Sequence, residues 1–283
     1  MGEGVPSRGE YVQAAVWLGR NGVRVGIPTR LLATRLGVRN TARPWPVLVL
    51  QVVIALVAIG GAVAYQCLQY LPGVRGVEMT ESKLLYFLTA GMQLAHWCPV
   101  WRRDRRAVDL LGDRRLNRPR PSWRATLDGW YLASAAVTFA GGAALGITMF
   151  AATPYRTYAW SWLGLLVLGA VVSAVIVTGV VRRPVIAEDE PSAAVDAMLR
   201  RYDLAYGLPS LYALPVLTDL ITTHRQPPGF APWLIGYAVL VLALQIAGAF
   251  AARRRPHPPL PDGDYGVPLP AQAVPGWSPE GAR

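Results

Sequence analysis

Six blocks of hydrophobic residues carrying little or no charge punctuate this sequence, at about 47–70, 84–101, 125–150, 158–181, 204–223 and 231–252. A helix rising about 1.5 Å per residue needs roughly 20 apolar residues to cross a hydrocarbon layer of about 30 Å, a length that a helix in a soluble core has no need of. The pattern therefore predicts an all-α, polytopic integral membrane protein with six transmembrane helices. The second block is the shortest and is spotted with polar residues. The fifth contains Pro209 and Pro215, each of which removes a backbone hydrogen bond and kinks or breaks a helix.

Shorter apolar periodicities lie outside these blocks. Residues 10–19 and 29–37 each have one apolar face at helical spacing, and such segments are expected to rest on the membrane surface. Residues 102–111 set Arg102, Arg103, Arg105 and Arg106 against Val108, Leu110 and Leu111. Glu188, Asp189 and Glu190 precede Pro191 and Ser192, a helix-start signature that leads into the fifth block. The expected organisation is an amphipathic N-terminal segment (1–46), a six-helix transmembrane domain (47–252) and a tail (253–283). With eight prolines beyond Arg255, the tail is expected to be disordered.

Charge adds an orientation. The chain of 283 residues has a formal net charge of +11, with 28 basic residues, among which Lys83 is the single lysine. Seven arginines precede the first block, nine lie between the second and third, and four each fall between the fourth and fifth and after the sixth. That places 24 of the 28 on one side. Arg75, Lys83, Arg156 and Arg225 remain on the other. Cytoplasmic loops collect Lys and Arg, so both termini are expected in the cytoplasm. The arginine-for-lysine bias suits a bacterium with a G+C-rich genome, hence a bacterial plasma membrane. Trp45, Trp97, Trp101, Trp123 and Trp130 are expected at the inner interface, and Tyr70, Tyr86, Tyr155, Tyr158, Trp160 and Trp233 at the outer one. External connections are short, which leaves no room for a large extracellular domain. The first block starts too far in for a cleavable signal. Cys67 and Cys98 fall near opposite faces, too far apart for a disulfide.

Candidate chemistry is sparse. Ionisable residues within spans are candidate functional sites, and three qualify: His96, Asp128 and Asp219. His96 and Asp128 fall near the inner ends of consecutive spans, where they could form a proton-relaying or cation-binding pair. The structural alternatives are a helix-start role for Asp128 near Arg124, and pairing of Asp219 with Arg225. Ser134, Thr138, Gly142 and Gly146 recur every four residues along one face of the third span, a pattern that lets helix backbones approach closely. That face would serve packing within the bundle or a homo-oligomer. Residues 32–38 (LATRLGV) look like one helix and turn of a helix-turn-helix unit, but no recognition helix follows, so nucleic acid is not an expected partner.

No phosphate-binding glycine loop, zinc-protease helix or nucleophile elbow is present. Two cysteines and three histidines cannot build a structural zinc site of ordinary spacing. No cofactor, metal or enzymatic activity is expected; the bilayer itself is the certain partner. Six helices, cytoplasmic termini and a basic amphipathic helix in a cytoplasmic connection give a layout similar to that of exporter-type permease subunits of ATP-binding-cassette systems. The resemblance covers layout alone. It implies a membrane component of a transport or export system, with a separate ATPase or another membrane subunit docking on residues 102–111. The alternative is a non-catalytic scaffold or regulatory protein acting through its basic cytoplasmic loops, and a third reading is a proton-coupled carrier using His96 and Asp128.

Overall fold

A computed structural model of the chain describes residues 6–39, 45–70, 82–222, 227, 229–254 and 259–268. The 71–81 connection, His224, Arg225 and residues 269–283 lie outside the described residues. The fold is mostly helical. In chain order it comprises α1 (Arg8–Arg20), β1 (Val25–Pro28), α2 (Arg30–Leu36), α3 (Trp45–Cys67), α4 (Lys83–Leu111), α5 (Trp123–Thr126) and α6 (Gly129–Ala135). A π-helical turn (Ala136–Gly141) joins α6 to α7 (Gly142–Ala152); α8 (Arg156–Val181), α9 (Glu190–Asp203), α10 (Pro215–Thr222), α11 (Ala231–Arg254) and β2 (Gly266–Pro268) follow.

Among the described residues, four helical stretches are long and apolar enough to cross a membrane: Gly129–Ala152, Arg156–Val181, Glu190–Ile221 and Ala231–Ala252. A shorter apolar helix covers Val52–Cys67. The outward faces of these helices are greasy. Leu56 and Val57 on α3, Ile147 on α7, Val167 and Val171 on α8, and Val239 and Phe250 on α11 are all exposed. Apolar surface on that scale is untenable in water and ordinary in lipid. The chain is thus built as a membrane protein.

Its bundle core is aromatic and tightly approached. Trp162 and Tyr86 are fully buried, and the Trp162 indole donates to the Tyr86 hydroxyl at 2.7 Å; Tyr86 and Tyr158 thus pack in the core rather than in the expected outer belt. Small residues let the helices close on these rings. A Cβ at Gly169 would sit 2.6 Å from the Tyr212 ring, one at Gly179 would sit 2.5 Å from Trp97, and one at Gly142 would sit 2.9 Å from Leu166. Ser134, Thr138, Gly142 and Gly146 are all buried within the chain. The π-turn in their midst brings the Thr138 carbonyl to the Tyr237 hydroxyl at 2.8 Å.

The fifth hydrophobic block does not form one helix. After α9 the backbone runs through 3-10 turns at Leu204–Gly207 and Pro209–Tyr212 before α10 starts at Pro215. Both prolines begin a helical element, where a missing amide hydrogen costs nothing. Carbonyls released by the break are reclaimed from neighbouring helices: Tyr131 donates to Gly207 O at 2.7 Å, and Gln93 donates to Leu208 O at 2.9 Å.

The N-terminal helices correct a sequence expectation. Their apolar faces do not rest on lipid but are buried against the rest of the chain. Ala14, Leu18, Leu32 and Leu36 form a core with Val195 and Leu199 of α9 and with Tyr265. Leu31 joins Ala107, Leu111 and Ile186. A face that would suit a membrane surface suits a protein core equally well. The tail also differs from the expected disorder between residues 259 and 268. There β2 pairs antiparallel with β1, Ile27 opposite Val267 and Pro28 opposite Gly266. Gly266 has φ +126, and a Cβ on it would lie 2.1 Å from Ile27 O, so only glycine fits this junction. Together α1, α2, α9, β1, β2 and the end of α4 make a cap at one end of the bundle.

Replacing Gly169 by leucine is expected to cost about 1–3 kcal/mol or more, as overpacking of a full core does. A Cβ at Gly236 meets nothing within 4 Å, so Gly236→Ala is expected to be neutral or slightly stabilising. Thermal unfolding of the two variants in one detergent checks the contrast.

Candidate functional site

The most concentrated polar chemistry lies where the cap meets the bundle. Arg35 on α2, Asp104 on α4, Arg183 after α8, and Asp196, Arg200 and Asp203 on α9 meet there, with Arg39 just beyond α2. The side chains of Arg35, Asp196, Arg200 and Asp203 are each at most 2 % exposed. Arg35 donates to Asp104 at 3.1 Å, to Asp196 at 2.6 Å and to Ile186 O at 2.9 Å. Arg39 holds both oxygens of Asp203 at 2.9 and 2.7 Å and reaches Asp104 at 2.8 Å. Arg183 bridges Asp104, Asp196 and Asp203. Arg200 binds Asp196 one turn away at 2.9 Å and donates to the carbonyls of Arg183 and Pro184 at 2.8 and 2.6 Å.

Local sequence explains the placement. Asp189 caps α9 by accepting from the Ser192 amide at 2.9 Å, which sets the phase that turns Asp196, Arg200 and Asp203 inward. The α4 helix runs unbroken from Lys83 through Pro99 to Leu111, so Asp104 is carried directly out of the bundle into the cap. Burial opposes charge on Asp104, but the Arg39, Arg35 and Arg183 guanidiniums outweigh it and hold its carboxyl far below the usual carboxylate range. Burial likewise opposes charge on Arg39, yet Asp104 and Asp203 keep its guanidinium above its ordinary value. Asp104 and Arg39 therefore stay charged near neutrality. Four arginines against three aspartates leave one positive charge in excess. The assembly is a clamp.

Arg102, Arg105 and Arg106 lie on the exposed side of α4, and Arg103 pairs with the buried Glu10 of α1 at 2.5 Å. The opposite side of the 102–111 helix is already covered: Ala107 and Leu111 are buried, with Val108 packed against the same cluster. A docking partner could therefore read the arginines but not the apolar face.

The intramembrane candidates separate. His96 is half-buried and its Nδ1 lies 2.7 Å from the Met92 carbonyl of its own helix. Asp128 is the N-cap of α6 and accepts from the Tyr131 amide at 2.7 Å. Asp219 is fully buried rather than at the surface. It accepts from the Ser82 amide at 2.8 Å, from the Ser82 hydroxyl at 3.1 Å and from the Tyr158 hydroxyl at 2.9 Å. These bonds tie α10 to the starts of α4 and α8. Among the described residues, no cluster of His, Cys, Asp and Glu is arranged to hold a metal ion.

A cavity of about 800 Å³ opens beside the cap, between the start of α6, the end of α9 with its following 3-10 turn, and the last turns of α11. Arg124, Asp128, Arg201 and Gln245 supply its polar groups, while Leu204 and Leu244 stand for its apolar walls. Its volume falls in the range of about 300–1,000 Å³ typical of small-molecule sites. Sequence reading missed both the cavity and the clamp, although Asp104 as the single acid in a run of four arginines was a visible signal.

Comparison with known protein families, with curated proteins and with solved structures finds no match to this chain.

Removing one partner from a buried ion pair costs about 3–5 kcal/mol, because the remaining charge stays buried and unpaired. Asp104→Asn is expected to destabilise the cap on that scale, whereas Asp109→Asn, at an exposed position one turn on, is expected to shift it by less than about 0.5 kcal/mol. Differential melting in detergent distinguishes them. Because the folded pKa of Asp104 is depressed, its contribution is fully present above the unfolded value of about 3.9 and fades as pH falls toward the folded one. Melting temperature should therefore owe no change to this group between pH 8 and 5, fall below about pH 4, and fall less steeply in Asp104→Asn.

Proposed function

We propose that this chain crosses a bacterial plasma membrane six times, with both termini and the cap in the cytoplasm, and serves as a membrane component of a transport or export system. The observation that carries the functional part is the broken fifth span beside an open cavity. Irregular backbone at membrane depth is tolerated where it is buried in protein or lines a cavity, and broken helices beside a midplane or interfacial site are a recurrent feature of transporters. Here Leu204, Ala205 and Leu208, from the interrupted stretch, line the cavity directly.

The orientation rests on the arginine distribution together with the first two blocks folding as helices, α3 and the N-terminal part of α4. Four crossings alone would leave α3 and α4 unassigned, although exposed valines and leucines line α3. A separate ATPase, if it binds, would contact the exposed Arg102, Arg105 and Arg106. The scaffold reading is weaker for a physical reason. Arg35, Arg39, Arg183 and Arg200, which would have advertised basic loops to a partner, are consumed by internal carboxylates.

Two measurements test the proposal. With Cys67 and Cys98 replaced by serine, single cysteines at positions 113 and 262 should react with a membrane-impermeant maleimide only in inverted vesicles, and one at 154 only in intact cells; the reverse pattern would sink the orientation. Gentle extraction of the tagged chain from its host should recover a soluble ATPase that is lost when Arg102, Arg105 and Arg106 are all glutamine. Recovery of the chain alone, with no solute retained by cells lacking it, would contradict the transport role.

A further inference from the structure

We propose that the cavity between α6, α9 and α11 binds an anionic amphiphile, its carboxylate or phosphate head held by Arg124 and Arg201 and its chain lying along the leucine-lined wall. The inference rests on the membrane placement given above but not on transport.

Charge is the first argument. Each guanidinium of the clamp is ion-paired with at least one carboxylate. Arg124 and Arg201 are different: among the described residues, no carboxylate lies within ion-pair distance of either. Arg124 instead lies 5.2 Å from the Trp123 ring centroid. Asp128 is the one acid lining the cavity, and its Oδ1 is engaged by the Tyr131 amide. The two arginines thus leave the cavity net positive. A planar guanidinium suits carboxylate and phosphate because it can donate two parallel hydrogen bonds.

Shape and polarity supply the second argument. The polar groups gather at the start of α6 and the end of α9, whereas Leu204, Leu208 and Leu244 extend the cavity along the bundle. The exposed Trp130 carries this lining out to the surface of the bundle. A site with an electropositive mouth and an apolar flank open toward lipid matches a molecule with one charged end. A compact soluble anion would leave the leucine wall unused, and a neutral lipid would leave both guanidiniums unmatched.

The test uses the full chain in nanodiscs of phosphatidylcholine, with and without phosphatidylglycerol. Native mass spectrometry then counts the lipid retained after release. Oleate added to the phosphatidylcholine sample is the probe for a free amphiphilic acid. Selective retention of phosphatidylglycerol is expected. Each lost charge-assisted hydrogen bond is worth about 1.5–3 kcal/mol, so R124Q/R201Q should weaken retention by at least about tenfold. A249W, which fills the cavity from α11 with both arginines intact, should weaken it as well, whereas R114Q, at an exposed arginine outside the cavity lining, should not. Retention of oleate without phosphatidylglycerol, abolished by the same variants, would keep the ligand class and make its source a free acid. Retention of neither, or retention unchanged in R124Q/R201Q, overturns the proposal. A chain that holds the lipid yet supports no transport sinks the transport reading and leaves this site standing.

Discussion

Four guanidiniums and three carboxylates, shut away from water, fix how the two halves of this protein meet. Taking charges out of water costs several kcal/mol per ion, and their attraction offsets this only when the hydrogen bonds are nearly complete. Here the arrangement approaches completeness. Each carboxylate is shared by at least two arginines, and further guanidinium hydrogens of Arg35 and Arg200 reach backbone carbonyls of the segment after α8; the Arg183 Nε is the buried donor left without an acceptor among the described residues. The same low dielectric that strengthens these contacts makes any vacancy expensive. The clamp is therefore a device of specificity: it admits one docking of α2 and α9 on the end of α4 and penalises every other.

The cavity depends on that docking. Arg200 faces inward to Asp196, and the next residue, Arg201, faces the cavity. Any rotation of α9 that released Arg200 would also turn Arg201 away from the cavity that Arg124 lines with it. The breaks that begin at Leu204 and end at Pro215 then let the chain leave the cap and enter the bundle without a continuous helix. Tyr131 spans the two regions, since its amide binds Asp128 beside the cavity while its hydroxyl binds the carbonyl of Gly207 in the break.

The bundle was legible from hydropathy because lipid imposes a requirement, a long uncharged helix, that a single segment must meet by itself. The third, fourth and sixth blocks fold as helices of the expected reach, and small residues such as Gly142 mark close packing. The cap was not legible. The bonds from Arg35 and Arg39 to Asp104, Asp196 and Asp203 join residues 65 to 164 positions apart, and no local pattern reports such pairing. Arg35 and Arg39 read as ordinary inner-side charge, indistinguishable in sequence from the exposed Arg105. The apolar faces of α1 and α2 fit a membrane surface and a protein core alike. The tail misled through its prolines, which discourage helix but leave room for a short edge strand.

Hydrogen exchange of the full chain in nanodiscs, read by mass spectrometry in wild type and in Asp104→Asn, tests most directly whether the clamp unites the cap. The account predicts that amides of α2, of residues 182–188 and of α9 lose protection together, while α8 and α11 keep theirs. Loss confined to the immediate neighbours of Asp104, or no loss at all, would contradict it.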